Sequence, residues 1–130
     1  QAAILLPKLE IFPEEVELRN KVAAKYTRLL NSKDAIAPPR VEEHNTSAWA
    51  QYTIRVKNRD NIQEKLRKND IPTAVHYPIP LNKQPAVADI SALLPVGDQV
   101  AEEVMSLPMH PYMSDDDIGF VVSKLLEGEV

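Results

Sequence analysis

A chain of 130 residues with a formal charge of −4, 44% apolar and 26% charged, has the make-up of one globular domain in water. Its lysines and arginines form no basic run, so the footprint of a nucleic-acid binder is missing, and no apolar stretch nears the roughly 20 residues a membrane helix needs. The absence of cysteine excludes disulfide stapling and thiolate metal sites and fits a reducing compartment, so a cytoplasmic location is expected.

Residues Gln1 to Leu6 carry no Ser, Thr, Asp or Asn cap and no initiator methionine. The chain is therefore expected to begin inside a helix of a longer protein. That helix is predicted to run to about Leu9. A fresh helix is predicted from Pro13-Glu14-Glu15, where proline suits the first turn and the acids suit the positive end of the dipole. Leu18, Val22, Tyr26, Leu29 and Leu30 recur at helical spacing and face inward. Asn31 to Asp34 ends this helix, and Pro38-Pro39 blocks any continuation.

From Trp49 to Val56 the pattern alternates, which predicts a strand with Ala50, Tyr52, Ile54 and Val56 facing the core. Asp60 followed by Gln63 predicts a capping box opening a helix, with Ile62 and Leu66 inward and Asn69-Asp70 at its end. A second strand is predicted over Ile71 to Tyr77 and a single helical turn over Asp89 to Leu94. Asp98 to Met105 reads as a short helix with Val100, Ala101, Val104 and Met105 on one side. A third strand follows at Ser106-Leu107-Pro108. Ser114, with Asp117 three residues on, caps a last helix whose stripe is Ile118, Val121, Val122, Leu125 and Leu126. The fold class is α+β: helices on one face of a small, mostly antiparallel sheet, in a single domain spanning 1–130.

The segment Thr73-Ala-Val-His76-Tyr77-Pro-Ile-Pro-Leu-Asn-Lys-Gln-Pro85 is the best candidate for function. A short β-branched run ends in a histidine and a tyrosine, and prolines then hold an extended path. Polar and aromatic side chains on such a stiff loop are typical binding-site material. Lys83 and Gln84 follow on the same loop; a lysine here could reach a diphosphate, although a solvated loop lysine is the commoner case. His44 has Glu42 and Glu43 beside it, but adjacent residues rarely converge on one ion, so no metal site is expected. His110 reads as part of a packed turn, and Asp115-Asp116-Asp117 as the acidic first turn of the last helix. The spacings support no serine-histidine-acid triad.

The same segment resembles the His-Tyr-Pro-x-Pro-Leu stretch of the pyridoxal-phosphate-dependent sugar aminotransferases, which place amino groups on nucleotide-linked keto sugars. The resemblance extends to Gln1 to Leu9, Arg19 to Tyr26 (RNKVAAKY), Ala50 to Arg55 (AQYTIR) and Met105 to Tyr112 (MSLPMHPY). It is weaker over Asn31 to Thr46 and after Met113. Pro72 to Val87 and the first nine residues look most like the bacterial members that aminate C3 of a UDP-linked 2-acetamido-3-keto-glucuronic acid for surface polysaccharide such as O-antigen.

The resemblance implies the small C-terminal domain of a fold-type I aminotransferase. It also implies pyridoxal phosphate as cofactor, a UDP-linked keto sugar and glutamate as substrates, and a homodimer with shared sites. His76 and Tyr77 would then line the substrate pocket. The cofactor needs a Schiff-base lysine, a carboxylate for its ring nitrogen and a phosphate cradle. None of the nine lysines stands in a Gly- or Ser-rich setting, and Gly97, Gly119 and Gly128 are scattered. The resemblance places these parts, with the family's paired Asn and Arg substrate residues, in a larger domain upstream. No catalytic or cofactor-binding residue is therefore expected in this chain, and the 130 residues alone are expected to be inert. Two alternatives stand beside this reading: a stand-alone ligand-binding or interaction module, and a sugar aminotransferase acting on another keto sugar.

Overall fold

The computed structural model describes residues 2–31, 33, 35–89 and 91–127. In chain order they form helix α1 (Ala2–Leu30), strand β1 (Ile36–Ala37), strand β2 (Tyr52–Val56), helix α2 (Arg59–Lys68), a 3-10 turn (Leu81–Lys83), helix α3 (Pro95–Glu103), strand β3 (Val104–Leu107) and helix α4 (Asp115–Leu126). The sheet is antiparallel throughout, in the order β1-β2-β3. Its register sets Ile36 opposite Val56 and Ile54 opposite Met105.

Strand alternation decides the layers. Tyr52, Ile54 and Val56 all point to one face, and Met105 and Leu107 of β3 join them there. Tyr26 and Leu30 of α1, Leu66 of α2, and Ile118, Val121, Val122 and Leu125 of α4 cover that face and complete one core. Tyr26 and Tyr52 stack with ring centroids 5.0 Å apart. Tyr26 is fully buried, and its hydroxyl donates to the Pro108 carbonyl at 3.1 Å. This is the expected α+β arrangement.

Several local expectations are corrected. The two predicted N-terminal helices are one: α1 runs unbroken through Pro7 and Pro13. Each proline frees the carbonyl four residues back, Ala3 or Leu9. Residues 3–14 are exposed, so water can satisfy those carbonyls. Ser32 and Asp34, part of the predicted end of that helix, lie outside the described residues; the helix itself stops at Leu30. The strand predicted from Trp49 starts only at Tyr52, because Trp49 has a left-handed φ of 48° and Ala50 is exposed.

Helix α2 has no capping box at Asp60. Asn58, with a left-handed φ of 55°, takes the cap position, Asp60 pairs with Arg59, and Gln63 donates to Thr73 at 3.1 Å. The strand predicted over Ile71 to Tyr77 contracts to one bridge, Ala74 to Ser106, since Pro72 and Pro78 on either side lack an N–H for a ladder. The helical turn predicted over Asp89 to Leu94 is absent from its described residues; the Asp89 carboxylate instead accepts from the backbone N–H and hydroxyl of Ser91. Helix α3 begins at Pro95, suited to a first turn, and Val104 and Met105 belong to β3.

Candidate functional site

Backbone pairing positions the candidate loop. The N–H of Ala74 donates to the Ser106 carbonyl at 3.2 Å, and the N–H of Ser106 donates back at 2.8 Å. Residue 74 is thereby tied to the free edge of β3, and Gln63 holds Thr73 from α2. Val75 is half-buried; His76 and Tyr77 emerge into solvent just beyond it, with Tyr77 74% exposed. Their rings meet edge to face, 5.8 Å between centroids.

The chain then turns back through Pro78 and Pro80 into the 3-10 turn. Lys83 and Gln84 close that turn by donating their N–H groups to the carbonyls of Pro80 and Leu81. An ion pair from Lys83 Nζ to Asp98 Oδ1, at 2.8 Å, links the turn to α3. The pair is close but not aligned as a hydrogen bond, for Asp98 Oδ1 is buried without a hydrogen-bond partner. Both side chains are partly exposed, so we read it as a positional link of small energetic weight.

A cleft of about 480 Å³ results, with His76, Tyr77, Ile79, Pro80, Leu81 and Gln84 along the loop side and Gly97, Val100 and Ala101 of α3 with Val104 at the start of β3 opposite. The two predicted site residues are thus brought into one cleft, and Gln84 joins them. Lys83 faces an adjoining cleft of about 700 Å³, with its ammonium on Asp98. A larger groove of about 860 Å³, between α1 and Pro38–Val41, contains none of the sequence candidates.

The α3 wall is what sequence reasoning overlooked. Gly97, Val100 and Ala101 follow the i, i+3, i+4 spacing of one helix face, and Val104 extends the wall as the first residue of β3. Val100 and Ala101 read as ordinary packing, and only the glycine at 97 hints that this face borders open space.

The remaining candidates lie elsewhere. His44, Glu42 and Glu43 are exposed, and no group of His, Asp or Glu among the described residues is arranged to hold a metal. His110 is exposed in a turn, where its Nδ1 accepts from the Tyr112 N–H at 3.2 Å. Tyr112 in turn donates to Glu15 at 2.9 Å, and this hydrogen bond raises its phenol pKa. Arg19, within one of the resembling stretches, donates to the carbonyl of Trp49 at 3.0 Å, and Asn20 accepts from the Trp49 indole at 3.0 Å. These contacts fix the left-handed Trp49 loop to α1.

The cleft offers an imidazole, a phenol, a carboxamide and apolar walls. Among its lining residues there is no lysine to form a Schiff base and no carboxylate to hold a pyridinium nitrogen. Such a lining can offer hydrogen bonds and apolar contact to a ligand, and the anchor set of pyridoxal phosphate does not fit it. No helix among the described residues is long and apolar enough to cross a membrane.

Residues 1–126 match the family model described as the DegT/DnrJ/EryC1/StrS aminotransferase family. The chain is 58% identical, over 96% of its length, to a Pseudomonas aeruginosa protein named UDP-2-acetamido-2-deoxy-3-oxo-D-glucuronate aminotransferase. Among solved structures, a DegT DnrJ EryC1 StrS aminotransferase from Brucella abortus is 38% identical and superposes with a TM-score of 0.87 over 96% of this chain. S. venezuelae DesV, solved in complex with a ketimine intermediate, is 28% identical, with a TM-score of 0.90 over 96% of this chain. In each case the chain spans only 34% of the other protein's length, about a third.

Proposed function

The chain belongs to the DegT/DnrJ/EryC1/StrS aminotransferase family, and from that premise we propose that it forms the sugar-facing wall of a nucleotide-sugar aminotransferase. The reaction we propose moves an amino group from glutamate to C3 of a UDP-linked 2-acetamido-3-keto-glucuronic acid, in the cytoplasm, for surface polysaccharide. The observation that carries this reading is the 58% identity, across nearly the whole chain, to a relative named for that substrate. The cofactor we propose is pyridoxal phosphate, anchored by residues outside these 130. We further propose a homodimer.

Within that enzyme the residues of this chain bind and orient. The His76 imidazole donates to a sugar hydroxyl or carboxylate, and the Tyr77 phenol hydrogen-bonds or stacks on the ring. Both stand on backbone fixed by the Ala74–Ser106 bridge and the following prolines, so the sugar meets a preformed surface.

The test is an assay of the full-length, cofactor-loaded protein with glutamate and the UDP-linked 3-keto substrate, following the 3-amino product by mass spectrometry. Formation of that product is the expected result. No amination of it, or faster turnover of a dTDP-linked keto sugar, would overturn the substrate assignment.

A further inference from the structure

We propose that the recess between Gln84 and helix α3 receives the acetamido substituent of the sugar, with the Gln84 carboxamide donating to its carbonyl oxygen and the α3 face packing on its methyl group. This inference rests on the functional reading above and deepens it.

The argument starts from composition. The two walls of the cleft differ in kind: His76 and Tyr77 bring an imidazole and a phenol, while Val100 and Ala101 on α3 and Val104 just after it are apolar. Gln84 adds the carboxamide, both donor and acceptor, to the same space. An acetamido group presents a carbonyl oxygen and a methyl on one carbon. A ligand whose methyl lies against a Val-Ala-Val face therefore carries its oxygen within reach of a donor at the edge of that face. A hydroxyl has no methyl to bury, and a carboxylate would be left against apolar carbon.

The position of Gln84 is also built. Its N–H donates to the Leu81 carbonyl at 3.1 Å, and its own carbonyl accepts from Val87 at 3.0 Å. The neighbouring Lys83–Asp98 ion pair ties this turn to the helix that forms the opposite wall. Among the described residues, no side-chain hydrogen bond occupies the Gln84 amide, so its donors are available to a ligand.

Gly97 supplies an independent probe. It shares the helix face of Val100 and Ala101, and a Cβ built there meets only Leu94 Cβ at 3.8 Å, an ordinary contact. The backbone at 97 therefore accepts a Cβ, and Gly97→Val adds bulk to the recess, with the melts below as its folding control.

The experiment is calorimetric binding of two non-reacting probes, UDP-2-acetamido-2-deoxy-glucuronic acid and UDP-glucuronic acid, to the full-length holoenzyme, with thermal melts as a folding control. Wild type should prefer the acetamido probe by about tenfold, the combined effect of one hydrogen bond and one buried methyl. Gln84→Ala should cut the preference by about three- to tenfold, and Gly97→Val should abolish it. Affinity for the hydroxyl probe should stay within about twofold in both variants, since the recess is empty in that complex. Failure of either probe to bind, a wild-type preference below about twofold, or variants that leave the preference intact or weaken both probes alike would overturn the proposal. Amination activity is read separately: an enzyme with the binding preference but no amination of the 3-keto substrate would sink the functional reading and leave the recess assigned.

Discussion

His76 and Tyr77 are held by their backbone, with little help from side-chain packing. Tyr77 is 74% exposed, and the bridge at Ala74 and the prolines after it persist whatever stands at 76 and 77. In the full-length enzyme His76→Ala and Tyr77→Phe should therefore leave melting temperature and cofactor loading nearly unchanged. With the pair contacting substrate as proposed above, loss of one hydrogen bond to a charged substrate group should cost about 1.5–3 kcal/mol, a roughly ten- to hundredfold drop in kcat/KM. Near-wild-type kinetics beside a large stability loss would make the pair packing material. Tyr26 is the opposite case. Burial first, then Tyr52 and Asp117, push its pKa well above the ordinary 10.0. Above pH 10 the unfolded chain releases this proton and the folded chain keeps it, so stability is full below that pH and falls as pH rises past it. Chemical denaturation at a series of alkaline pH values should show this decline, and Tyr26→Phe should flatten it; an unchanged slope in the variant would assign the decline elsewhere. The candidate pair was legible because histidine and tyrosine beside prolines form a local pattern. The α3 wall was not, because lining a cleft depends on a neighbour about twenty residues away in sequence.

At the scale of elements, α2 and α4 were both readable as helices, but only the cap of α4 was, for one physical reason. Ser114 accepts from the Asp117 N–H at 3.1 Å, while the Asp117 carboxylate accepts from the Ser114 N–H and hydroxyl. Both partners are three residues apart and exposed, so nothing competes for them. Asp60 and Gln63 have the same spacing, but Arg59 takes the first and Thr73 the second. Local rules hold until a neighbour makes a better offer. The α4 box makes two predictions. Ser114→Ala should destabilise the domain by about 1 kcal/mol in a denaturant titration. The hydrogen bonds from Ser114 hold the Asp117 carboxyl below its ordinary 3.8, so their contribution is complete at neutral pH and is lost as pH falls through and below that value. Ser114→Ala should thus lose more stability at neutral pH than in strong acid; equal losses at both would sink the capping account.

For the molecule as a whole, the unusual feature is the outer half of α1. Ile4, Leu5, Leu6, Leu9 and Phe12 are each at least half exposed, on a stretch of helix that extends about 18 Å over residues 3–14. Leu5, Leu9 and Phe12 share one face by their spacing, but Ile4 and Leu6 lie to either side, so no single contact surface could bury them all. This breadth also explains why the sequence suggested two helices: the prolines argued for a break, and no one-sided stripe argued for continuity. A solvent-exposed apolar surface of this size favours association. The 130-residue chain by itself should self-associate as concentration rises, seen as an increasing weight-average mass in sedimentation equilibrium. Leu9→Glu combined with Phe12→Glu should shift it toward monomer without lowering the melting temperature, because neither side chain belongs to the core. The same isolated chain should form no stoichiometric, borohydride-trappable adduct with pyridoxal phosphate, since no lysine lines its cleft. A wild-type chain that stays monomeric at high concentration would mean that this helix tolerates water along its full length, and the reading of its outer half as an unpartnered surface would fall.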